Sequence, residues 1–146
     1  MVGRRDYFAR VRRNGETNPV TIIVILALIA AGFYAYHVVP VYLDNATVRE
    51  KCQEAFNIYW VNGDNMARQK LTFNVNTVIG EHFEVDEDGV ERVVKGLGVP
   101  EDDIFIEESD ETLTVRVTYA RTIQFSPLKN RKTFQLMAEK VGKKGQ

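Results

Sequence analysis

The chain is poor in residues that bind metals or form disulfides. Its 146 residues include one cysteine and two histidines. A single cysteine excludes an internal disulfide, and one cysteine with two histidines cannot supply the four ligands of a Cys/His zinc site. Lys and Arg number 19 against 20 Asp and Glu, and this net charge of −1 offers no general attraction to nucleic acid. We therefore predict no metal, no cofactor and no nucleic-acid partner.

Motifs for catalysis are also missing. The chain has no Gly-rich phosphate loop, no G-x-S-x-G elbow and no H-E-x-x-H pair. Cys52 lies on an apolar stripe, where a small buried thiol is the usual reading. A catalytic role for Cys52 or His82 would require that side chain to be exposed in a cleft. Asn45-Ala46-Thr47 matches the glycosylation acceptor, a short pattern that lies close to the expected membrane segment. We predict that the protein is not an enzyme and has no small-molecule substrate.

Charge is absent from one long stretch near the N-terminus. No Asp, Glu, Lys or Arg occurs from Thr17 to Leu43, a run of 27 residues. Within it, residues 20–39 are almost entirely apolar, and a helix of that length rises about 30 Å, the thickness of the hydrocarbon core of a bilayer. A buried helix of a soluble protein is one alternative, although a short chain has few elements to cover it. A cleaved signal peptide ending near Ala30-Ala31-Gly32 is another, although the apolar run continues beyond that site. We therefore predict a transmembrane helix at residues 20–39.

The flanking charges indicate how this helix is oriented. Residues 1–19 contain five arginines against Asp6 and Glu16. Positively charged flanks remain on the cytoplasmic side of a membrane. We predict a cytoplasmic basic tail at residues 1–19 and an exported domain at residues 40–139, with the lipid bilayer as one partner.

The outer end of the span carries residues typical of a membrane interface. Tyr34, Tyr36 and Tyr42 are placed where amphipathic rings prefer the headgroup layer. His37 is expected to extend toward the headgroups rather than mark a proton path. Pro40 should bend or restart the helix.

Helices are expected in the first part of the exported domain. Residues 41–62 carry an apolar stripe at helical spacing, formed by Val48, Cys52, Ala55, Phe56 and Tyr59. Residues 66–85 fit both a strand and a helix, and the helical pattern covers more of the segment. Asp88 with Glu91 three residues later resembles a capping box, and the apolar residues that follow predict a short helix at 88–97.

Apolar and polar residues alternate in the last third of the chain, as they do in β-strands. Ile104 and Ile106 begin this pattern, and a turn follows at Ser109-Asp110-Glu111. The apolar face of a long second strand consists of Leu113, Val115, Val117, Tyr119, Ile123 and Phe125. Arg121 falls on the same face, which predicts a bulge near Ala120. A returning strand contains Phe134, Leu136 and Ala138.

Together these elements predict an α+β fold. The transmembrane helix continues into the amphipathic helix, and short helices then pack on a three-stranded antiparallel meander, because they are the only available cover for its apolar face. Residues 140–146 are expected to form a flexible basic tail.

Opposite charges are segregated within the exported domain. Residues 81–111 hold thirteen Asp and Glu against two basic residues, whereas residues 112–146 hold eight Lys and Arg against one Glu. Glu84-x-Asp86-x-Asp88-Gly89 imitates the start of an EF-hand loop, but Lys95 occupies the position of the required bidentate Glu. We expect a solvated acidic surface rather than a calcium site. The basic hairpin should neutralise the acidic segment within the molecule or at a partner interface.

The exit from the span carries a family resemblance. Val39-Pro40-Val41-Tyr42-Leu43, together with the strand ending Val117-Thr118-Tyr119, resembles a family of short bacterial single-pass membrane proteins of unknown function. Its members combine an N-terminal span, a V-P-x-Y-type exit and a final hairpin. This resemblance implies the bacterial inner membrane, with the C-terminal domain in the periplasm. It brings no catalytic residues.

The layout also resembles type IV pilins and pseudopilins, in which a long N-terminal helix precedes an antiparallel sheet. Their processing signal is a Gly followed by an apolar stretch with a glutamate at its fifth position. Gly15-Glu16-Thr17-Asn18-Pro19 departs from that signal, because a charge follows the glycine and the fifth position is Val20. We expect a bitopic protein whose exported domain mediates protein–protein interaction or envelope assembly, by binding another envelope protein or by self-association. A pilin-like subunit of a filament or secretion system is the alternative.

Overall fold

The computed structural model describes residues 18–144, so most of the expected cytoplasmic tail lies outside the described residues. The chain forms two compact units, one ending at Ala35 and the other beginning at Tyr36. The element bounds are α1 (Pro19–Asn62), α2 (Asp64–Phe73), a π-helical turn (Asn74–Val78), β1 (Glu81–Val85), β2 (Glu91–Lys95), a 3-10 turn (Glu101–Asp103), β3 (Ile104–Ser109), β4 (Thr112–Phe125) and β5 (Asn130–Lys143).

The start of α1 follows from its first residues. Pro19 is the first helical residue, where its missing N–H costs nothing and its fixed φ suits the helix. The side chain of Asn18 caps the helix by accepting a hydrogen bond from the backbone N–H of Val20, at 3.1 Å. The helix then continues through Pro40 to Asn62, so the expectation of a restart at Pro40 is wrong.

The N-terminal unit contains the apolar part of α1. This helix is long and apolar enough to cross a membrane. Its large side chains are exposed in this chain: Ile23 is 65% exposed and Leu28 is 67% exposed. A core helix of a soluble protein would bury such residues. The helix is therefore compatible with a single-pass membrane protein.

The second unit confirms the α+β fold and the three-stranded antiparallel meander. Its sheet has the order β3-β4-β5. The apolar face of the sheet packs against α1 and α2 through a core that includes Val48, Cys52, Phe56, Leu71, Leu113, Val115 and Val117. A second apolar cluster joins Val38 and Val41 of α1 to Ile123 of β4. The helical stripe predicted for residues 41–62 therefore covers the sheet as expected.

The long hairpin is more regular than predicted. β4 and β5 pair without interruption from Thr112↔Lys143 to Phe125↔Asn130, so the bulge predicted near Ala120 is wrong. Arg121 keeps its place in the alternation and faces the core. The expected flexible tail is also wrong as far as Lys143, because residues 140–143 complete the ladder opposite residues 112–115. Pairing satisfies those of their backbone groups that face β4, which a free tail would leave to water.

The segment between α2 and β3 differs most from the expectation. The helix favoured for residues 66–85 is present only to Val78, and β1 follows. The helix predicted at 88–97 is wrong, because β1 and β2 form an antiparallel hairpin with Val85 opposite Glu91. Gly89 has a φ of +74°, which suits a hairpin turn rather than a helix start. The Asp-Gly pair at its tip and the β-branched valines of β2 favour the hairpin over the apparent capping box.

Candidate functional site

A buried ion pair joins the helix to the centre of the long hairpin. Strand alternation places Arg121 on the inner face of β4, two residues from Tyr119 and from Ile123. Arg121 is only 8% exposed, and its Nη2 lies 3.3 Å from Oδ2 of Asp44 on α1. A buried guanidinium needs such a partner, because an unpaired buried charge is costly.

Gly80 provides the space for this pair. Its φ is +64°, a conformation that glycine adopts without strain. A Cβ at this position would collide with Nη1 of Arg121 and would lie 2.7 Å from Cδ2 of Leu97. The missing side chain therefore allows the backbone before β1 to approach the guanidinium closely.

A second polar contact lies beside the ion pair. The hydroxyl of Tyr119 donates a hydrogen bond to Oδ1 of Asn45, at 2.9 Å. Burial raises the pKa of Tyr119, and the nearby Asp44 raises it further. Burial also raises the pKa of Asp44, an effect that Arg121 opposes and Glu81 reinforces. Asp44 and Asn45, which are consecutive in α1, thus bind Arg121 and Tyr119, which share one face of β4.

One nitrogen of the arginine is unsatisfied. Nη1 of Arg121 is buried and has no hydrogen-bond partner among the described residues. Arg121 lines a groove of about 320 Å³ in the second unit. The other polar residues that line it are Tyr36, His37, Glu81, His82, Thr122 and Gln124. Arg121 therefore places a positively charged side chain in the lining of this groove.

Both histidines of the chain line this groove, although no sequence pattern connects them. The ring of His37 lies against Phe125, with ring centroids 5.3 Å apart. His82 lies on β1, and its Nδ1 is 2.7 Å from the carbonyl oxygen of Gly96. Its ring also packs against Gly98, where a Cβ would lie 2.8 Å from Cδ2 of His82. The position of His82 is thus fixed by the backbone that follows β2.

The remaining candidate residues have structural contacts. Cys52 is fully buried, and its Sγ lies 3.8 Å from the carbonyl oxygen of Ala138. Burial raises the pKa of the Cys52 thiol to about 12, which makes it a poor nucleophile. Asn45, the residue of the glycosylation pattern, is partly buried and bound to Tyr119.

The acidic carboxylates are separated rather than gathered. Asp86 pairs with Arg92 at 2.9 Å across the β1–β2 hairpin, and Glu84 lies 4.0 Å from His82. Within residues 18–144, no three His, Cys, Asp or Glu side chains are grouped to hold a metal ion. The EF-hand-like residues therefore lie in and beside a hairpin turn.

The acidic and basic segments meet in an ion pair between β2 and β5. Arg131 of β5 makes a two-pronged ion pair with Glu91 of β2, and its guanidinium lies 4.7 Å from the ring centre of Phe83. The hydrogen bond with Arg131 is the main cause that lowers the pKa of Glu91, and desolvation opposes it. The basic hairpin thus neutralises part of the acidic segment, and this contact fixes the β1–β2 hairpin beside the main sheet.

The principal residue of the site, Arg121, is one that sequence reasoning misassigned. The sequence does contain a signal for the ion pair, because a charge at a core position of a regular strand requires a buried partner. The partner, Asp44, lies 77 positions earlier in the chain, and no local pattern connects the two residues.

Comparison with known proteins adds no relative: no protein-family model, curated protein or solved structure matches this chain significantly.

Proposed function

We propose that this chain is a single-pass membrane-anchored protein whose exported domain binds a partner protein and carries out no catalysis. The apolar part of α1 is the anchor. The arginines before it favour a cytoplasmic N-terminus, and the resemblance in residues 39–43 favours the bacterial inner membrane with the domain in the periplasm. The partner is another envelope protein or a second copy of this chain.

The observation that carries this proposal is the free edge of β5. β5 is 14 residues long, and β4 is its only strand neighbour among the described residues. Long edge strands expose unpaired backbone groups, so proteins usually shorten or cover them. Met137 and Val141 of β5 are 53% and 50% exposed on the face opposite the core. An unpaired edge beside exposed apolar side chains suits the addition of a strand from a partner.

Site-specific photo-crosslinking tests the proposed interface. A photoreactive amino acid at position 137 or 141, in the full chain in native membranes, should yield a discrete adduct. The matched control is position 85, since Val85 is 65% exposed but lies on the β1–β2 hairpin. An adduct of about twice the 16.7 kDa chain mass would identify self-association, and a larger or smaller adduct another protein. The same adducts at all three positions would contradict a specific β5 interface.

Fractionation tests the anchor separately. Full-length protein should remain in the inner membrane after alkaline extraction and carbonate washing. A shortened form in the soluble envelope fraction would contradict anchoring and favour a cleaved, secreted domain.

A pilin-like subunit is the second candidate. Its support is one architectural feature, a long N-terminal helix whose later turns, through Val48 and Phe56, pack on an antiparallel sheet. This candidate predicts cleavage near Gly15 and recovery of the protein in sheared surface material. The mass of the mature N-terminus distinguishes the two candidates, since the anchor keeps the residues before Gly15.

A further inference from the structure

Three lysines lie at the C-terminal end of the free β5 edge, at positions 140, 143 and 144. Within residues 18–144, none of the three makes an ion pair with a carboxylate. The acidic residue of β5, Glu139, is already bound to Arg116 of β4, at 2.6 Å. This end of the edge strand therefore presents positive charge that has no paired carboxylate within the described part of the chain.

Aromatic residues of α1 position two of these lysines. Phe56 and Trp60 are one helical turn apart, and their ring centres are separated by 6.3 Å. The Nζ of Lys140 lies 5.6 Å from the ring centre of Phe56. The Nζ of Lys144 lies 5.6 Å from the ring centre of Trp60. Gly142, between the two lysines, lets Phe56 approach the strand, since a Cβ there would lie 2.9 Å from Cζ of the ring. An ammonium group has three donors, so one that lies over a ring can still bind a carboxylate.

The carboxylates nearest this end of β5 lie behind the strand. Lys143 and Lys144 border a cleft whose lining includes three acidic residues at the β3–β4 connection. One of these, Glu108, accepts a hydrogen bond from the hydroxyl of Tyr59, at 2.6 Å. Because β4 lies between β3 and β5, the acidic residues are on the β4 side of β5. The outward edge of β5 remains positive.

A second copy of this chain fits this edge poorly. Pairing β5 with β5 of another copy would bring the lysines of both strands into one ladder, and like charges on adjacent strands are destabilising. The opposite edge strand, β3, carries Glu107 and Glu108. However, the carbonyl oxygen of Ile104 in β3 already accepts a hydrogen bond from Nη1 of Arg68, at 2.8 Å. These features favour a strand from a different protein.

We infer that β5 selects an acidic extended segment of another protein, which adds to the free edge as a further strand. Lysines on an edge strand disfavour basic partners and favour partners of opposite charge. Alternation places Met137, Val141 and Lys143 on one face of β5, and Lys140 and Lys144 on the other. The incoming strand would carry apolar side chains opposite the first two residues and carboxylates opposite the lysines. The inference rests on the proposed function, because it names the partner of the same edge.

Peptide binding to the full chain in detergent micelles tests this inference. The probes are fluorescent synthetic peptides of about eight residues, the length of an ordinary strand. One peptide alternates valine with glutamate, and its counterpart alternates valine with lysine. A third peptide has the acidic sequence with backbone N-methyl groups that remove hydrogen-bond donors on both strand edges. Fluorescence anisotropy measures the affinity of each peptide.

The acidic peptide should bind about tenfold or more tightly than the lysine peptide, and N-methylation should abolish its binding. Lys143→Glu should weaken binding of the acidic peptide by about fivefold and strengthen that of the lysine peptide, because it reverses the charge at the edge. Lys95→Glu is the matched control, since it makes the same charge change at an exposed residue of β2. It should leave both affinities unchanged.

Equal binding of the acidic and lysine peptides, or full binding of the N-methylated peptide, would overturn the inference. Absence of peptide binding, with specific photo-crosslinks still formed at Met137 and Val141, would also overturn it while leaving the β5 interface in place. A crosslinked adduct of about twice the chain mass would overturn it as well, because the partner would be a second copy. Loss of the specific crosslinks would contradict the proposed function and the inference together.

Discussion

Arg121 and Asp44 form an ion pair that connects the middle of β4 to α1, with Nη2 and Oδ2 3.3 Å apart. The arginine is almost completely buried, whereas the side chain of Asp44 is 29% exposed. The pair therefore has unequal partners. Loss of the carboxylate leaves a buried cation, whereas loss of the cation leaves a carboxylate that water can reach.

The first prediction concerns this asymmetry. Asp44→Asn should lower the free energy of unfolding by about 2 kcal/mol, because an uncompensated buried charge remains. The double variant Asp44→Leu, Arg121→Leu should lose less free energy of unfolding than the sum of the losses in Asp44→Leu and in Arg121→Leu. Urea denaturation of the full chain in detergent, followed by the fluorescence of Trp60, measures both. An Asp44→Asn variant as stable as the wild type would show that the pair contributes nothing.

The second prediction concerns the space at Gly80. Gly80→Ala should cost about 3 kcal/mol, because it adds backbone strain and also displaces Arg121 and Leu97. Gly89→Ala is the control: Gly89 also has a positive φ, of +74°, but a Cβ there meets nothing within 4 Å. It should cost about 1 kcal/mol from strain alone. Equal losses in the same urea titration would mean that the crowding at Gly80 is relieved without cost.

The third prediction concerns the sheet. Val117 is fully buried in the centre of β4, between Ile104 and Ala138. Val117→Asp should unfold the second unit, because it buries a carboxylate without a partner. Membrane insertion should persist, since the proposed span lies in α1 and not in the sheet. Limited proteolysis of membrane fractions measures both properties.

Thr118→Asp is the control for that variant. Thr118 is the next residue of β4 and lies on the opposite face, so its replacement should leave the protease-resistant fragment intact. A resistant domain in the Val117→Asp variant would contradict the position of Val117 in the core.

The fourth prediction concerns alkaline stability. The pKa of Cys52 rises from 9.0 to about 12 in the folded protein because the thiol is buried. Above pH 9 the unfolded thiol loses its proton and the folded one keeps it, so the folded state binds more protons and stability falls as the pH rises. The loss due to Cys52 should be about 1 kcal/mol at pH 10 relative to pH 7.

Cys52→Ala isolates this effect. Tyr119 also has a raised pKa, of which Cys52 is only the smallest cause, so most of its contribution is common to both proteins. Urea denaturation at pH 7 and pH 10 should therefore show a smaller loss in the Cys52→Ala variant. The same loss in both proteins would mean that the thiol ionises as easily in the folded state as in the unfolded one.

Patterns spanning a whole element predicted the fold well. The charge-free run, the helical stripe through Val48 and Phe56, and the alternation of β4 each extend over many residues, so single exceptions do not obscure them. The apolar residues of the helical stripe and of β4 form the core of the structure. The position of the sheet against the helix followed from the need to cover both apolar faces.

Short patterns were less reliable. Asp88 and Glu91 satisfy a capping box, but the same residues serve a hairpin turn and an ion pair with Arg131. Arg121 appeared to require a bulge because its partner is distant in the sequence. The groove was equally hidden, since His37 and His82 come together only when β1 and α1 are placed beside β4. These contacts depend on long-range packing, which no local window contains.

The order of the core elements along the chain has a consequence for biogenesis. The stripe of α1 that contains Cys52 and Phe56 is covered by Ala138 and Gly142, more than 80 positions later. During synthesis from the N-terminus, this stripe emerges well before β5 exists. Nearly the whole chain must therefore be synthesised before the core can close, and until then a chaperone or the lipid surface must cover the stripe.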